Sequence, residues 1–537
     1  MAPNAEQQRL AELPVGNILV IAPAGCGKTE ALAARARGVL DRGEVQAPKT
    51  VLALTFSIKA RENLARRMRQ VVGAGWQRRI IVRNFHGLAS RVIAAHGEVI
   101  DLSPTPLFPE DRWRSATRRD LGITYKNADL FEEALRIAKS GPFTDVEVMA
   151  RLDEIGHAKA IEYEHRLRAD GRMDYDDLIR HAARILDVPE VSRLYQAHFG
   201  LTMVDEAQDL TLMQYEIVRA VGGDKVTYAG DPAQGIYSFA GGDPDEVFAR
   251  IEVLPNLERV EFNQSYRSSP AVLAAVNALA REMGTTELEC ADPTVFPDAG
   301  LVVSLERQTK ADEAAALVTL FQTLAADGNT TIGVVVRRGS RARELREAAE
   351  GEAVAFEDWA MPTHVPAVVE IINRCVEEAC RLGGPDASEL EQLEQLCRAA
   401  AEGTDVELLD SLASAIDDIA ALVADGNSMR DAVGTCRPSA LPGTPVGPGI
   451  HVLTGHKGKG QEFDWVVILG LEDGHIPDFR CTSDAELREE LRVLHVMASR
   501  AKYGMVITFV RHDGWRATTP SAWRDILRSE ATVSDHS

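Results

Sequence analysis

Cysteine is sparse and never closely paired: Cys26, Cys290, Cys375, Cys380, Cys397, Cys436 and Cys481 contain no CxxC spacing. A disulfide framework or a structural zinc is therefore not expected, and a reducing, cytoplasmic setting is. Apolar runs of the roughly 18 residues that a membrane helix needs are also missing. The opening MAPNAEQQRLAEL has neither a basic stretch nor an apolar one, so neither a membrane span nor a secretory leader is expected. A basic excess is lacking as well, since the formal net charge is -22. This balance argues against a chain that coats nucleic acid with its whole surface, because phosphate binding needs local positive charge. Local counts alter the picture. Residues 51–100 hold nine Lys or Arg and two Glu, a balance of +7, whereas residues 381–426 hold two Arg and eleven Asp or Glu, a balance of -9. One basic face beside an acidic outlying module is compatible with a nucleic-acid track.

What is present is enough apolar material, 45% of 537 residues, for several packed cores, and three or four domain-sized units are expected. Short apolar strands alternate with longer helical patterns, the mark of parallel α/β domains. The expected strands are Asn17–Ile21, Thr50–Thr55, Ile80–Arg83, Leu201–Val204, Val226–Ala229, Thr331–Val336, Gly449–Thr454, Trp465–Leu469 and Met505–Phe509. Residues from about 88 to 185 and from about 355 to 433 read instead as nearly all helix, and GTCRPSALPGTPVGPG (Gly434–Gly449) reads as a linker. The plan is two α/β cores, each carrying a helical insertion.

The strongest local signal is ILVIAPAGCGKTEALAARARGVL (Ile18–Leu40), a buried strand, a small-residue loop and a helix. Small residues let backbone N–H groups approach phosphates, and the helix N-terminus favours their charge. Ala22, Pro23, Ala24, Gly25, Cys26 and Gly27 form the expected cradle, with Lys28 on the β and γ phosphates and the Thr29 hydroxyl on Mg²⁺. Ala22 stands where the pattern usually has its first glycine. The second signal is LTMVDEAQDL (Leu201–Leu210), a strand ending in two carboxylates. Asp205 at the sheet edge can hold the Mg²⁺ that Thr29 binds, and Glu206 can orient or deprotonate a water.

DEAQD resembles motif II of the UvrD-like superfamily 1A DNA helicases, and further strings follow in that family's order. Asn4 and Gln7 resemble the Q motif, whose glutamine reads adenine. LALTFSIKARENLARRM resembles motif Ia, NFHGLASRV motif Ib, and DYDDL the family's DFDDL. YAGDPAQGIYSFAGGD resembles motif III, FNQSYRSS motif IV, LTGHKGKGQEFDWVVILGLEDGHIP motif V, and LREELRVLHVMASRAK motif VI. The resemblance implies two RecA-like P-loop cores using ATP and Mg²⁺. It implies that Gln234 senses the γ-phosphate, that Arg267 and Arg500 act as arginine fingers, that Tyr266 stacks on adenine, and that Glu462 meets the ribose region. It places Phe56, Tyr237 and Phe239 against bases and Thr55, His86 and His456 against the backbone of single-stranded DNA.

Its implied activity is ATP-driven 3′→5′ movement on single-stranded DNA and unwinding at junctions with duplex. The expected division is a first core in 1–87 and 185–256 around an insertion at 88–184, then a second core in 257–354 and 448–537 around a shortened insertion at 355–447. Two departures stand out. Phe239 and Ala240 occupy positions where the family usually has Trp and Arg, and the second insertion is short. The compact plan is also similar to helicase subunits of Gabija-type anti-phage systems, which implies an alternative: a DNA-sensing ATPase acting with a nuclease partner.

Overall fold

The computed structural model describes residues 4–56, 58–102, 111–123, 125–238, 241–296, 298–359, 366–382, 388–400, 428–434 and 446–535, with a few single positions in 412–423. It divides into two compact units, Met1–Ser265 and Tyr266–Ser537.

In the first unit six strands form one parallel sheet in the order β3-β2-β4-β5-β1-β6. They are β1 (Ile18–Ile21), β2 (Thr50–Thr55), β3 (Ile80–Asn84), β4 (Phe199–Asp205), β5 (Val226–Gly230) and β6 (Glu258–Glu261). The central strands are continuous apolar runs, buried on both faces, because helices cover both sides of a parallel sheet. Helices α1 (Ala5–Glu12), α2 (Lys28–Asp41), α3 (Ile58–Val72) and α4 (Phe85–His96) alternate with β1 to β3. Then come α5 (Asp111–Asp120), α6 (Tyr125–Ala138), α7 (Asp145–Ile155), α8 (Ala158–Ala169), α9 (Tyr175–Leu186) and α10 (Pro189–His198), and later α11 (Leu212–Gly222) and α12 (Pro244–Glu252).

The insertion is narrower than the expected 88–184. Phe131, Leu135, Val148, Leu152, Tyr163 and Leu167 form a separate small core, whereas α4 and α9 bury Leu88, Val92, Leu178 and Ile179 with the sheet. Beneath that small core, Glu164, Asp174 and Asp177 bring ligand atoms within 4.8 Å of one another, and the Lys139 ammonium lies among them. The first core also extends past the expected 256 boundary, because β6 pairs in parallel with β1. Only one of its four residues is buried, so it lacks the apolar run that marks a central strand.

The second unit holds a larger sheet. The two-residue strand β7 (Gln264–Ser265) closes the first unit; in the second, the two-residue β8 (Glu289–Cys290) is followed by β9 (Leu301–Thr309), β10 (Thr331–Val336), β11 (Phe356–Asp358), β12 (Gly449–Thr454), β13 (Phe463–Ile468), β14 (Ala501–Asp513), β15 (Arg516–Ala517) and β16 (Val533–Asp535). Their order is β11-β12-β10-β13-β14-β9-β16, all parallel, with β15 turning back antiparallel on β14. Helices α13 (Pro270–Met283), α14 (Lys310–Leu324) and α15 (Arg343–Gly351) belong to this core, as do α19 (Asp484–Ala498) and α20 (Arg524–Ser529). The insertion carries α16 (Pro366–Leu382), α17 (Glu389–Ala400) and α18 (Met429–Gly434), whose apolar faces share one core. Because β11 pairs with β12, residues 356–358 belong to the sheet and not to the insertion. Among the described residues no helix is long and apolar enough to cross a membrane.

Candidate functional site

In the first unit β1 runs into a loop in which Gly25 and Gly27 take φ of 85° and 75°, a conformation that glycine adopts without steric cost. The loop is anchored where Ala22 donates its backbone N–H to Gly230 (2.9 Å), and α2 starts at Lys28. On top of it lies Gln7. Its Nε2 donates to the Cys26 carbonyl (3.3 Å), and its Oε1 accepts the Asn4 N–H (3.2 Å) in a capping box. A Cβ on Gly27 would strike that amide at 2.7 Å, so the loop and the Gln7 side chain are fitted to each other.

The strand β4 brings Asp205 and Glu206 to the same sheet edge. Lys28 Nζ hydrogen-bonds Glu206 and lies 3.5 Å from Asp205 Oδ1. Burial disfavours the ammonium, but Glu206, Asp205 and Asp209 override it and hold Lys28 above the ordinary lysine range. Burial raises the Asp205 carboxyl to about 6, with Lys28 opposing and Glu206 adding to the rise. A buried carboxylate that wants more positive charge, next to a cradle lined by glycines, fits a nucleoside polyphosphate with a divalent cation. Thr29, in the first turn of α2, and Asp205 are the residues that would hold the cation.

Glu206 itself has φ 58° and ψ 50°, a left-handed conformation rare for a side chain without glycine's freedom. From it runs a chain of hydrogen bonds that sequence reasoning missed. Gln208 Nε2 donates to Glu206 (2.5 Å), Gln208 Oε1 accepts the Asp231 N–H (3.0 Å), and Asp231 Oδ2 accepts from Gln234 Nε2 (2.5 Å). The two linking residues lie inside the DEAQD and GDPAQ strings, and their polar side chains next to apolar strand ends were the available signal.

Beside this edge the rings of Phe56 and Tyr237 stack, 5.8 Å between centroids and 10° from parallel. His86 meets Tyr175 edge-on at 5.3 Å, and burial lowers its pKa. Tyr175, from DYDDL, is a half-exposed aromatic that the sequence reading did not single out. Thr55 is fully buried at the end of β2, so its side chain offers no surface to a strand of DNA, in contrast to the expectation. Phe239, with Ala240, lies outside the described residues.

In the second unit Arg267 donates to the Ser499 carbonyl (2.9 Å) and to Glu462 Oε1 (2.6 Å). Glu462 is held below the usual carboxylate range: burial works against its charge, but Arg267, Lys502 and Arg500 outweigh it. Arg500 is buried, with Nε on the Val496 carbonyl (2.9 Å) and Nη2 on Ser499 Oγ (2.8 Å). Ser268 Oγ donates to the Ala501 carbonyl (2.6 Å), which pins the loop bearing Tyr266 and Arg267 to the start of β14. Arg267, Glu462 and Arg500, three of the residues expected near the nucleotide, therefore converge within this unit. His456 follows β12, half-buried in the turn before β13.

A glycine-lined loop after β1 and a carboxylate pair after β4 of a parallel sheet define a P-loop nucleotide-binding protein with RecA-like cores. Residues 3–252 match the UvrD/REP helicase N-terminal domain, and residues 367–512 match the UvrD-like helicase C-terminal domain. The chain belongs to the UvrD/Rep-like family of superfamily 1A helicases. Among curated relatives, ATP-dependent DNA helicase UvrD1 of Mycobacterium leprae is 28% identical over 64% of this chain and 48% of its own length. DNA helicase II of Salmonella typhimurium is 30% identical over 51% of this chain and 40% of its own. ATP-dependent DNA helicase UvrD2 of Mycobacterium tuberculosis is 27% identical over 94% and 78%. The chain thus spans about half the length of the first relatives it matches, UvrD1.

Proposed function

We propose that this chain is an ATP hydrolase stimulated by single-stranded DNA, which converts hydrolysis into movement along that strand and opens duplex at junctions. The observation that carries the reading is the convergence of Lys28, Asp205 and Glu206 at the phosphate loop, with Gln208, Asp231 and Gln234 linked to them. Lys28 masks Glu206 by pairing with it. When a phosphate takes over the Lys28 ammonium, Glu206 loses that counter-charge, and its Oε2, still held by Gln208, becomes a better acceptor for a proton from water, so ligand binding itself prepares the base. Mg²⁺ held by Thr29 and Asp205 would neutralise charge on the β and γ phosphates. Gln234 reads the γ position, and Arg267 and Arg500 of the second unit stabilise charge at the transferring group; such fingers contribute ~10³–10⁵ in rate. Gln7 reads adenine, Tyr266 stacks on it, and Glu462 serves the ribose.

Along the DNA, Phe56 and Tyr237 offer parallel ring faces, and Phe239, His86 and His456 supply further contacts. Base stacking is worth ~1–3 kcal/mol per base and tolerates any sequence, which suits a moving grip. The 3′→5′ direction is proposed from the family resemblance. The test is steady-state ATP turnover alone and with single-stranded DNA, duplex DNA or single-stranded RNA, with Glu206→Gln as control. Strong stimulation by single-stranded DNA, lost in the control, is the expected result. Active protein indifferent to every nucleic acid would instead favour the alternative of a sensing subunit that needs a nuclease partner.

A further inference from the structure

Arg35, on α2, has no exposed surface, and among the described residues no carboxylate pairs with it. Its guanidinium is spread over backbone carbonyls instead. Nη1 donates to Leu10 (3.0 Å) and Leu13 (2.6 Å), Nη2 to Pro14 (2.8 Å), and Nε to Thr227 Oγ1 (3.1 Å) on β5. Burial, with Arg42 nearby and Glu44 opposing, lowers its pKa to about 10. The carbonyls it gathers are at and beyond the C-terminal end of α1. A helix leaves its last four carbonyls without internal partners and carries partial negative charge there.

Three residues in and just beyond the last turn of α2 strengthen the clamp. Gly38 lets the helices touch, since a Cβ there would meet the Ala11 carbonyl oxygen at 2.3 Å. Arg42 donates to the carbonyls of Ala11 (2.6 Å) and Leu13 (2.9 Å), and Glu44 Oε2 accepts the Val15 N–H (2.8 Å). α1 has eight residues, too few to hold a position by itself. It is held at one end by this clamp and at the other by the Gln7 contact on Cys26. The Gln7 amide spends one proton and one lone pair on the protein. Its remaining donor and acceptor match the N7 acceptor and N6 donor of adenine.

We propose that Arg35 is a positioning residue for base selection: by fixing the C-terminal end of α1 against the phosphate-loop helix, it sets where Gln7 presents its amide to the nucleotide base. This rests on the reading of Gln7 as the adenine contact. The measurement is equilibrium displacement of a fluorescent ADP from the full chain by ADP, GDP and inorganic tripolyphosphate, the last reporting on the phosphate loop alone. Arg35→Met should lower the preference for ADP over GDP by roughly tenfold, the scale of one two-point amide–adenine contact, with tripolyphosphate affinity unchanged. Gln7→Ala should remove the same preference, and the double variant should lose no more than Gln7→Ala alone.

A preference retained in Arg35→Met, while Gln7→Ala loses it, overturns the role of Arg35 only. A preference retained in Gln7→Ala overturns the base-reading role of Gln7 and the proposal with it. Equal weakening of ADP and tripolyphosphate in Arg35→Met would make Arg35 a general support of the fold and also overturn the proposal. If Arg35→Met does not fold, Arg42→Ala removes the outer half of the clamp. It should shift the ADP to GDP ratio in the same direction by less, and an unchanged ratio overturns the proposal.

Discussion

Replacing Lys139 by methionine should unfold, or nearly unfold, the helical insertion of the first unit. The ammonium is fully buried and lies 2.6 Å from Asp174 Oδ2, 2.8 Å from Glu164 Oε2 and 3.0 Å from Asp177 Oδ2. Burial alone would drive it towards neutrality, but the three carboxylates hold its pKa well above the ordinary value. Two of them also meet an arginine, Asp177 Oδ1 with Arg180 (2.7 Å) and Glu164 Oε1 with Arg168 (2.6 Å), but the ammonium is what touches all three. Breaking a buried ion pair from one side costs about 3–5 kcal/mol, and here three acids lose a shared cation, although Arg180 and Arg168 remain on two of them. Against a whole-domain stability of roughly 5–15 kcal/mol this is a large fraction.

Urea unfolding, followed through Trp113, reads the loss in the right place, because its indole N–H donates to Asp170 (2.5 Å) and its ring meets Tyr163 within the insertion. With a denaturant slope of ~1–3 kcal/mol per molar, the midpoint should fall by ~2 M. The pH response has a defined sign. Without Lys139 the folded-state pKa of the buried acids rises above the unfolded value, and such a group destabilises more as pH rises through it. Acidification from pH 7 towards 5 should therefore narrow the deficit of the variant. A midpoint equal to that of the unaltered chain, or a deficit that widens on acidification, would refute the electrostatic account.

Other outcomes concern the candidate site and the second unit. Glu206→Gln should still bind ATP and DNA while turnover falls by ~10²–10⁴, measured by phosphate release and by nucleotide displacement; normal turnover would remove Glu206 from the base role. Arg500→Ala should leave nucleotide affinity intact and slow hydrolysis, and unchanged single-turnover rates would end its assignment as a finger. In the second unit, burial, with Arg341, Lys310 and Arg338, lowers the His475 pKa to about 3. The unfolded chain takes up its proton near pH 6.5, so stability is full above that pH and declines as pH falls towards 3. The loss should be about 2 kcal/mol at pH 5, and His475→Gln should flatten that limb of the stability curve.

The parts of this molecule legible in its sequence are those whose signal is local. β1 with its loop, and β4 with its carboxylates, sit in continuous stretches where apolar runs and small residues announce themselves, and both form as expected. Not every outer strand announced itself: β3 did, but β6 and β16 did not. In ERVE (Glu258–Glu261) a single side chain is buried, and β9 and β16 lie at the far side of the second sheet, where one face or one edge needs no apolar residue. The boundaries of the first insertion were misjudged because the apolar stripes of α4 and α9 look the same whether they cover a sheet or a helix bundle. The roles of Arg35 and Lys139 were invisible for another reason. Thr227 is 192 residues from Arg35, and Asp174 is 35 from Lys139, so only folding brings the partners together.

The left-handed backbone at Glu206 has a consequence for how this chain can be altered. An ordinary side chain held there costs about 1–2 kcal/mol that glycine, and in part asparagine, would not incur. A chain chosen for foldability alone would carry one of those residues at 206. Glu206→Gly should therefore melt at a higher temperature than the unaltered protein and hydrolyse almost nothing, since the side chain that Lys28 and Gln208 hold is gone. Thermal robustness and inertness would arrive in the same substitution. A library screened for heat resistance would thus enrich dead variants at this position, and any effort to harden the protein has to exclude residue 206 from the search.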